Sequence, residues 1–199
     1  MDRIISPDTR RENRLPPGQK ATEKWPVLHY GSVHRLDAAG WSMTIDGLVE
    51  ADVTVTREQF QALPRIEVFS DIHCVTRWSR YDNTWHGVSS EVIKELAAIR
   101  PEATHVTVHG AGGFTTNLAL DDFFQPDVLF ATHHNGEPIS AEHGGPVRLV
   151  VPRLYFWKSA KWVTGLTFMD HEVLGFWESN GYHRRGDPWK EERYSRSRG

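Results

Sequence analysis

The sequence predicts an α+β fold built on a mixed, partly barrel-like sheet with flanking helices. Two observations carry this prediction. Short β-like and helical segments are interleaved without the regular β-α-β rhythm of a parallel sheet. A chain of 199 residues can bury a substantial single core, and although 25% of it is charged, eight tryptophans and nine phenylalanines concentrate the apolar surface in a few large side chains.

Residues 1–24, rich in Arg, Pro, Asn and Lys, read as an extended N-terminal arm ahead of one domain over residues 25–199. The composition turns apolar from Trp25 to Tyr30. Trp41 to Val49 alternates apolar with polar residues like a half-buried strand, with Asp46-Gly47 as a turn or bulge. Thr56 and Gln59 form a capping-box pattern that opens a helix stopping at Pro64. Ile66 to Phe69 reads as a strand, and Asp71 to Trp85, which has no clear period, as a functional loop at its end. Ser89 to Ile99 has helical spacing, and His105 to His109 alternates as a strand before the turn at Gly110 to Gly113. Asp121 to Phe124 reads as a short helix and Val128 to Thr132 is short and apolar. Val147 to Val151 has the strongest β character, and Lys161 to Phe168 reads as a further strand. From Asp170 onward apolar groups thin out, and Gly175 to Glu178 and Gly181 to Arg193 read as a tail packed by aromatic anchors.

A net charge of -3 gives no global reason to expect nucleic acid or an anionic membrane surface as partner, so any anion site must be local. No stretch approaches about 18 consecutive apolar residues, and no membrane-spanning helix is expected. A single cysteine cannot form an intramolecular disulfide, which fits a reducing, cytoplasmic setting. Arg10-Arg11 is followed by Glu12, Asn13, Arg14 and Pro16-Pro17-Gly18, where a twin-arginine signal requires an apolar run, so no export signal is expected.

Three segments carry chemistry-bearing residues. Asp71 to Arg80 places Cys74 between His73 and the arginines Arg77 and Arg80; positive neighbours lower a thiol pKa and favour the thiolate that attacks electrophiles or binds soft metals. The same residue also fits a buried structural cysteine. Glu142 to Pro152 joins a Gly-rich turn to a strand, with His143 and Arg148 able to converge on one ligand, where a guanidinium gives an anion bidentate contact. Lys158 to Trp162 adds two cations and a hydroxyl; a solvated strand edge with snorkelling lysines accounts for it equally well. His133, His134, Glu137 and His143 lack the spacing of a compact zinc motif. Gly110-Ala111-Gly112-Gly113 is followed by no helix opener, so nicotinamide or ATP use has no support. A metal-free hydrolase or transferase with Cys74 as nucleophile is the rival class, although nothing singles out its base.

In order, Asp71 to Ser79 (DIHCVTRWS), His143 to Pro152 (HGGPVRLVVP) and Trp157 to Trp162 (WKSAKW) resemble the oxidoreductase molybdopterin-binding domain of the sulfite oxidase family. With Trp25 to Gly31 before them and Gly175 to His183 behind, the chain is similar to the short bacterial sulfite-oxidase-like oxidoreductases. The resemblance implies a fold that buries one molybdenum-molybdopterin, with Cys74 as the protein ligand to the metal. It further implies cofactor contacts from His29, Tyr30, Thr116, His143, Arg148, Ser159, Ala160 and Lys161, with Arg77 beside Cys74 in catalysis. The activity implied is oxygen-atom transfer on a small oxo-compound such as a sulfite or sulfoxide. The haem and dimerisation domains of the eukaryotic relatives have no counterpart in these blocks, so no haem and an external electron donor or acceptor are expected. Among the arginines that grip sulfite in those relatives, only Arg77 and Arg80 have counterparts here.

Overall fold

The computed structural model describes residues 2–195. Its strands are β1 (Asp2–Ile5), β2 (Lys20–Ala21), β3 (Ser42–Gly47), β4 (Val53–Thr56), β5 (Arg65–His73), β6 (Trp78–Ser89), β7 (His105–Gly110), β8 (Thr115–Ala119), β9 (Leu129–His134), β10 (Glu137–Pro138), β11 (Arg148–Val150) and β12 (Val163–Met169). One-turn to two-turn helices connect them: α1 (Arg57–Ala62), α2 (Ile93–Leu96), α3 (Leu120–Phe123) and α4 (Phe176–Ser179). None is long and apolar enough to cross a membrane.

The strands form two open, mixed sheets. In the first, the order β1-β5-β6-β9-β10 carries β2 on β6 and β11 on β9; the β1–β5 and β2–β6 pairs are parallel and the rest antiparallel. In the second, the order is β4-β3-β12-β7-β8, with a parallel β3–β12 pair at its centre. Neither closes into a barrel. The α+β class with a mixed sheet holds, distributed over two sheets. Residues 2–21 lie along the first sheet, with Ser6 and Gln19 buried and the Ser6 hydroxyl donating to Asp127 at 2.7 Å.

The main core lies between the sheets, where Met43, Ile45, Leu166 and Phe168 of the second meet Val88, Phe130 and Leu149 of the first. Phe123 from α3 is fully buried and makes edge contacts with Phe124, Phe130 and Phe168. The capping box of α1 forms as the sequence pattern predicts, the Thr56 hydroxyl accepting from the Gln59 amide and the Gln59 side chain from the Thr56 amide.

The expected loop from Asp71 to Trp85 is instead the β5–β6 hairpin, and only Cys74 to Arg77 forms a turn. Period-2 alternation fails because β5 is buried on both faces at its end, and because its polar residues find partners inside the protein. The Ser70 hydroxyl accepts from the Trp85 indole at 3.1 Å, and Asp71 receives both Arg14 nitrogens at 3.0 and 2.6 Å. Strands β4 and β8 were not predicted, since Val53–Thr56 and Thr115–Ala119 are too short to show a period.

Replacing Phe123 with Ala would remove the side chain on which three aromatic rings converge. A loss of about 3–5 kcal/mol is expected from chemical denaturation. A change below 1 kcal/mol would show that the two sheets are not held through this residue.

Candidate functional site

A pocket of about 370 Å³ opens where the turn after β5, the β7–β8 turn, the segment 157–162 and the irregular stretch 28–34 converge. Its residues divide by chemistry. Arg148, Ser159 and Lys161 form a polar, cationic part of the lining; Cys74 and Val75 pack with an aromatic wall of Trp157, Trp177 and Tyr182, which Thr76 and Phe176 adjoin in the lining. Leu28, His29, Tyr30 and His34 border the mouth.

Arg148 projects from β11 and is only 1% exposed. Its guanidinium donates to the carbonyl of His143 at 2.6 Å and of Ser159 at 2.8 Å, and lies 4.2 Å from the centre of the Phe156 ring. Among the described residues no carboxylate pairs with it. Burial alone pushes its pKa down to about 9. Lys161 is held by the Glu142 carbonyl at 2.6 Å, and burial together with Arg148 pushes it down to about 7. The nearby Glu142 side chain is turned outward to Arg35 at 3.0 Å. Gly144 makes the approach possible: its φ is +100, and a Cβ there would lie 2.9 Å from the Lys161 Cα.

His143 stacks on Trp25 at 3.8 Å, and its Nδ1 is buried without a partner. The Ser159 hydroxyl accepts the Val151 amide at 2.9 Å, and the Ala160 carbonyl accepts that of Leu149 at 2.8 Å, so this segment is tied to β11 by its main chain. The two-lysine motif thus separates. Lys161 faces the pocket, whereas Lys158 is buried behind it, 2.7 Å from Glu178 and 2.8 Å from both the carbonyl and the side-chain oxygen of Asn117. The solvated-edge reading of Lys158 does not hold.

Other expected site residues fall elsewhere. Thr116 is fully buried behind the aromatic wall and donates to Glu178 at 3.1 Å; the same carboxylate oxygen accepts the Trp157 indole N–H at 2.8 Å. Arg77 does not line the pocket; its guanidinium is 3.9 Å from Glu191 and largely exposed. Arg80 is drawn to Asn83, to His134 and to the Glu23 carbonyl. The thiol of Cys74 contacts the Thr76 hydroxyl at 3.1 Å, and burial pushes its pKa up. The thiolate expected from basic neighbours is therefore not favoured by the protein alone: desolvation outweighs cations that point away. Among the described residues no group of three or more His, Cys, Asp or Glu side chains is placed to hold a metal ion, and His133, His134, Glu137 and His143 form no such group.

These residues fit a buried anionic cofactor with a soft metal. Arg148 and Lys161 are desolvated with no carboxylate paired to either among the described residues, a costly arrangement that a phosphate would relieve, and the single sulfur lines the same pocket. The family model described as oxidoreductase molybdopterin binding domain matches residues 30–177. The chain belongs to this family. Members similar to it include the uncharacterized oxidoreductase YuiH of Bacillus subtilis, 48% identical over 93% of this chain and 94% of that protein. The catalytic subunit MsrP of a protein-methionine-sulfoxide reductase from Gluconobacter oxydans is 30% identical over 69% of this chain and 49% of its own length. Mitochondrial sulfite oxidase of Drosophila melanogaster is 27% identical over 80% of this chain and 32% of its own. The sulfane dehydrogenase SoxCD of Paracoccus pantotrophus shares the fold, with a TM-score of 0.68 at 24% identity over 84% of this chain and 47% of that one. The molybdopterin-binding-domain fold and an oxidoreductase activity are thereby assigned to the chain.

Sequence reasoning gave no role in the site to Trp157, Phe176, Trp177 and Tyr182. The Gly175 to His183 blocks marked the last three as aromatic anchors, but nothing in their spacing placed them on a pocket wall.

Burial lowers His73 to about 4, His134 to about 3 and His143 to about 4, from an ordinary 6.5. Between those values the unfolded chain binds more protons than the folded one, so this stability is complete above pH 6.5 and is lost as pH falls through the folded values. The melting temperature is expected to drop between pH 6.5 and 4, and His134→Gln to make that slope shallower; an unaltered slope would remove His134 from acid sensitivity.

Proposed function

We propose that the chain transfers an oxygen atom between water and a small oxo-compound, using a molybdenum-molybdopterin held in this pocket and exchanging electrons with an external partner. The observation that carries the reading is Arg148, a buried guanidinium satisfied only by main-chain carbonyls, in the same pocket as the only thiol. When bound, the molybdenum cofactor supplies two-electron redox chemistry coupled to oxygen exchange.

The protein's part is binding, orientation and exclusion of water. Arg148 and Lys161 would hold the phosphate end, with the turn at His143 and Gly144 beneath them, and Cys74 would supply the protein sulfur to the metal. Coordination to a cation removes the thiol proton that burial otherwise retains. The aromatic wall keeps the sulfur end dry. Burial, Tyr194 and Cys74 all raise the Tyr182 pKa, so its hydroxyl on the pocket lining would stay protonated and could donate to a substrate oxygen.

Among oxo-compounds, the wall favours a neutral one with an apolar body, such as a sulfoxide, over sulfite. The cations of the pocket are engaged at the phosphate end, and Arg77 and Arg80 are directed elsewhere. For a metal-free cysteine nucleophile the geometry is poor. His73 bonds Ser79 through Nδ1 at 2.8 Å and its Nε2 is buried without a partner, so the neighbouring imidazole does not serve as base.

Protein from a molybdopterin-producing host should contain close to one molybdenum per chain by elemental analysis. Cys74→Ser should abolish oxidoreductase turnover with the fold retained, and Arg148→Ala should weaken cofactor retention by about 1.5–3 kcal/mol, the worth of a charge-assisted contact. A metal-free protein with full activity overturns the reading. With the loaded enzyme and artificial electron donors and acceptors, kcat/KM for aryl methyl sulfoxide reduction should exceed that for sulfite oxidation at least tenfold; the reverse order removes the sulfoxide preference.

A further inference from the structure

The turn that carries Cys74 is gripped from outside by two buried donors that the cofactor site does not use. The Cys74 carbonyl accepts the Arg77 amide at 3.0 Å within the turn and the Gln19 side-chain amide at 2.9 Å from the segment before β2. The next carbonyl, of Val75, accepts Arg193 Nη1 at 2.8 Å. Arg193 also donates Nη2 to the Pro17 carbonyl at 3.1 Å and Nε to Glu191 at 3.3 Å, and its guanidinium lies 4.9 Å from the centre of the Tyr155 ring. Both side chains are buried, Gln19 at 7% and Arg193 at 4% exposure.

Gly18 is shaped to this contact. Its φ is +69, and a Cβ there would stand 2.6 Å from Glu191 Oε1 and 3.1 Å from Arg193 Nη2. The turn needs such support, because Arg77 closes it with a φ of 72, a conformation that disfavours side chains bearing a Cβ. In a cysteine only one rotatable bond separates the main chain from the sulfur, so the sulfur goes where the turn's main chain goes. Ligand geometry tolerates errors of only about 0.5 Å.

We propose that Gln19 and Arg193 are positioning residues that lock the main chain of the Cys74 turn and thereby aim its sulfur into the pocket, an inference that rests on Cys74 being the metal ligand. The Pro16-Pro17-Gly18-Gln19 run is one jaw of this clamp and Arg193 the other. Lysine in place of Arg193 would hold the two carbonyls less well, because its point-like ammonium lacks the planar fork whose two arms reach Val75 and Pro17.

The first test measures iodoacetamide alkylation of Cys74 in the full-length protein prepared without cofactor, well below its melting temperature, with circular dichroism as the check on folding. Gln19→Leu and Arg193→Ala are expected to raise the alkylation rate at least tenfold over wild type, and Arg193→Lys by less. Rates within twofold of wild type in folded variants overturn the clamp. Should Arg193→Ala fail to fold, Gln19→Leu, which deletes one donor at nearly constant volume, decides alone. The second test uses the molybdenum-loaded enzyme: Gln19→Leu should retain metal content yet shift the paramagnetic resonance signature of the partly reduced metal, and an identical spectrum overturns the aiming role. A wild-type protein that takes up no molybdenum would instead sink the cofactor reading, while the alkylation rates would still report on the turn.

Discussion

The charge of Arg148 is the constraint around which this molecule is arranged. A guanidinium removed from water and left without a carboxylate costs several kcal/mol, and two carbonyl acceptors with an aromatic face below return only part of that. Burial first, and its field second, depress Lys161 and His143, and among the described residues no carboxylate pairs with Arg148 or Lys161. Proteins seldom keep such a group where an apolar residue would pack as well. The arrangement is economical only when an anion arrives from outside, and the cost is then recovered as binding free energy.

Behind the pocket the opposite solution is used. Lys158 is as deeply buried as Arg148 but meets Glu178 and Asn117, and Glu178 in turn fixes the Trp157 indole and the Thr116 hydroxyl. This closed network sets the plane of Trp157, whose ring forms part of the wall facing Cys74. Two lysines three residues apart therefore sit in distinct settings: one is neutralised internally and holds the wall, and the other has no carboxylate partner among the described residues and faces the pocket.

Much of this was legible in the sequence. The capped helix at Thr56, the strand at Val147 to Val151 and the order of the Cys74, His143–Arg148 and Ser159–Lys161 blocks all carry local signals that survive into the structure. Cys74, Arg148, Ser159 and Lys161 do line one pocket, but proximity in sequence did not set direction in space for every expected site residue. Arg77 lies three residues from Cys74 yet its positive φ turns it toward Glu191, and Thr116 faces Glu178 rather than the pocket. Beyond the strand read at Ile66 to Phe69, the rest of the hairpin escaped detection because polar residues buried in pairs erase the alternation that marks a strand. The aromatic wall and the partners of the Cys74 turn are contacts between distant segments, and no window along the chain contains them.

The bond from Arg193 to the Pro17 carbonyl joins residues 176 positions apart. During vectorial synthesis the β5–β6 hairpin and its turn leave the ribosome long before residue 193 does. Until then the sulfur-bearing turn lacks one of its two outside supports, and the nascent domain holds an incompletely formed socket. The full set of outside contacts to the Cys74 turn therefore forms only once residue 193 has joined the folded domain.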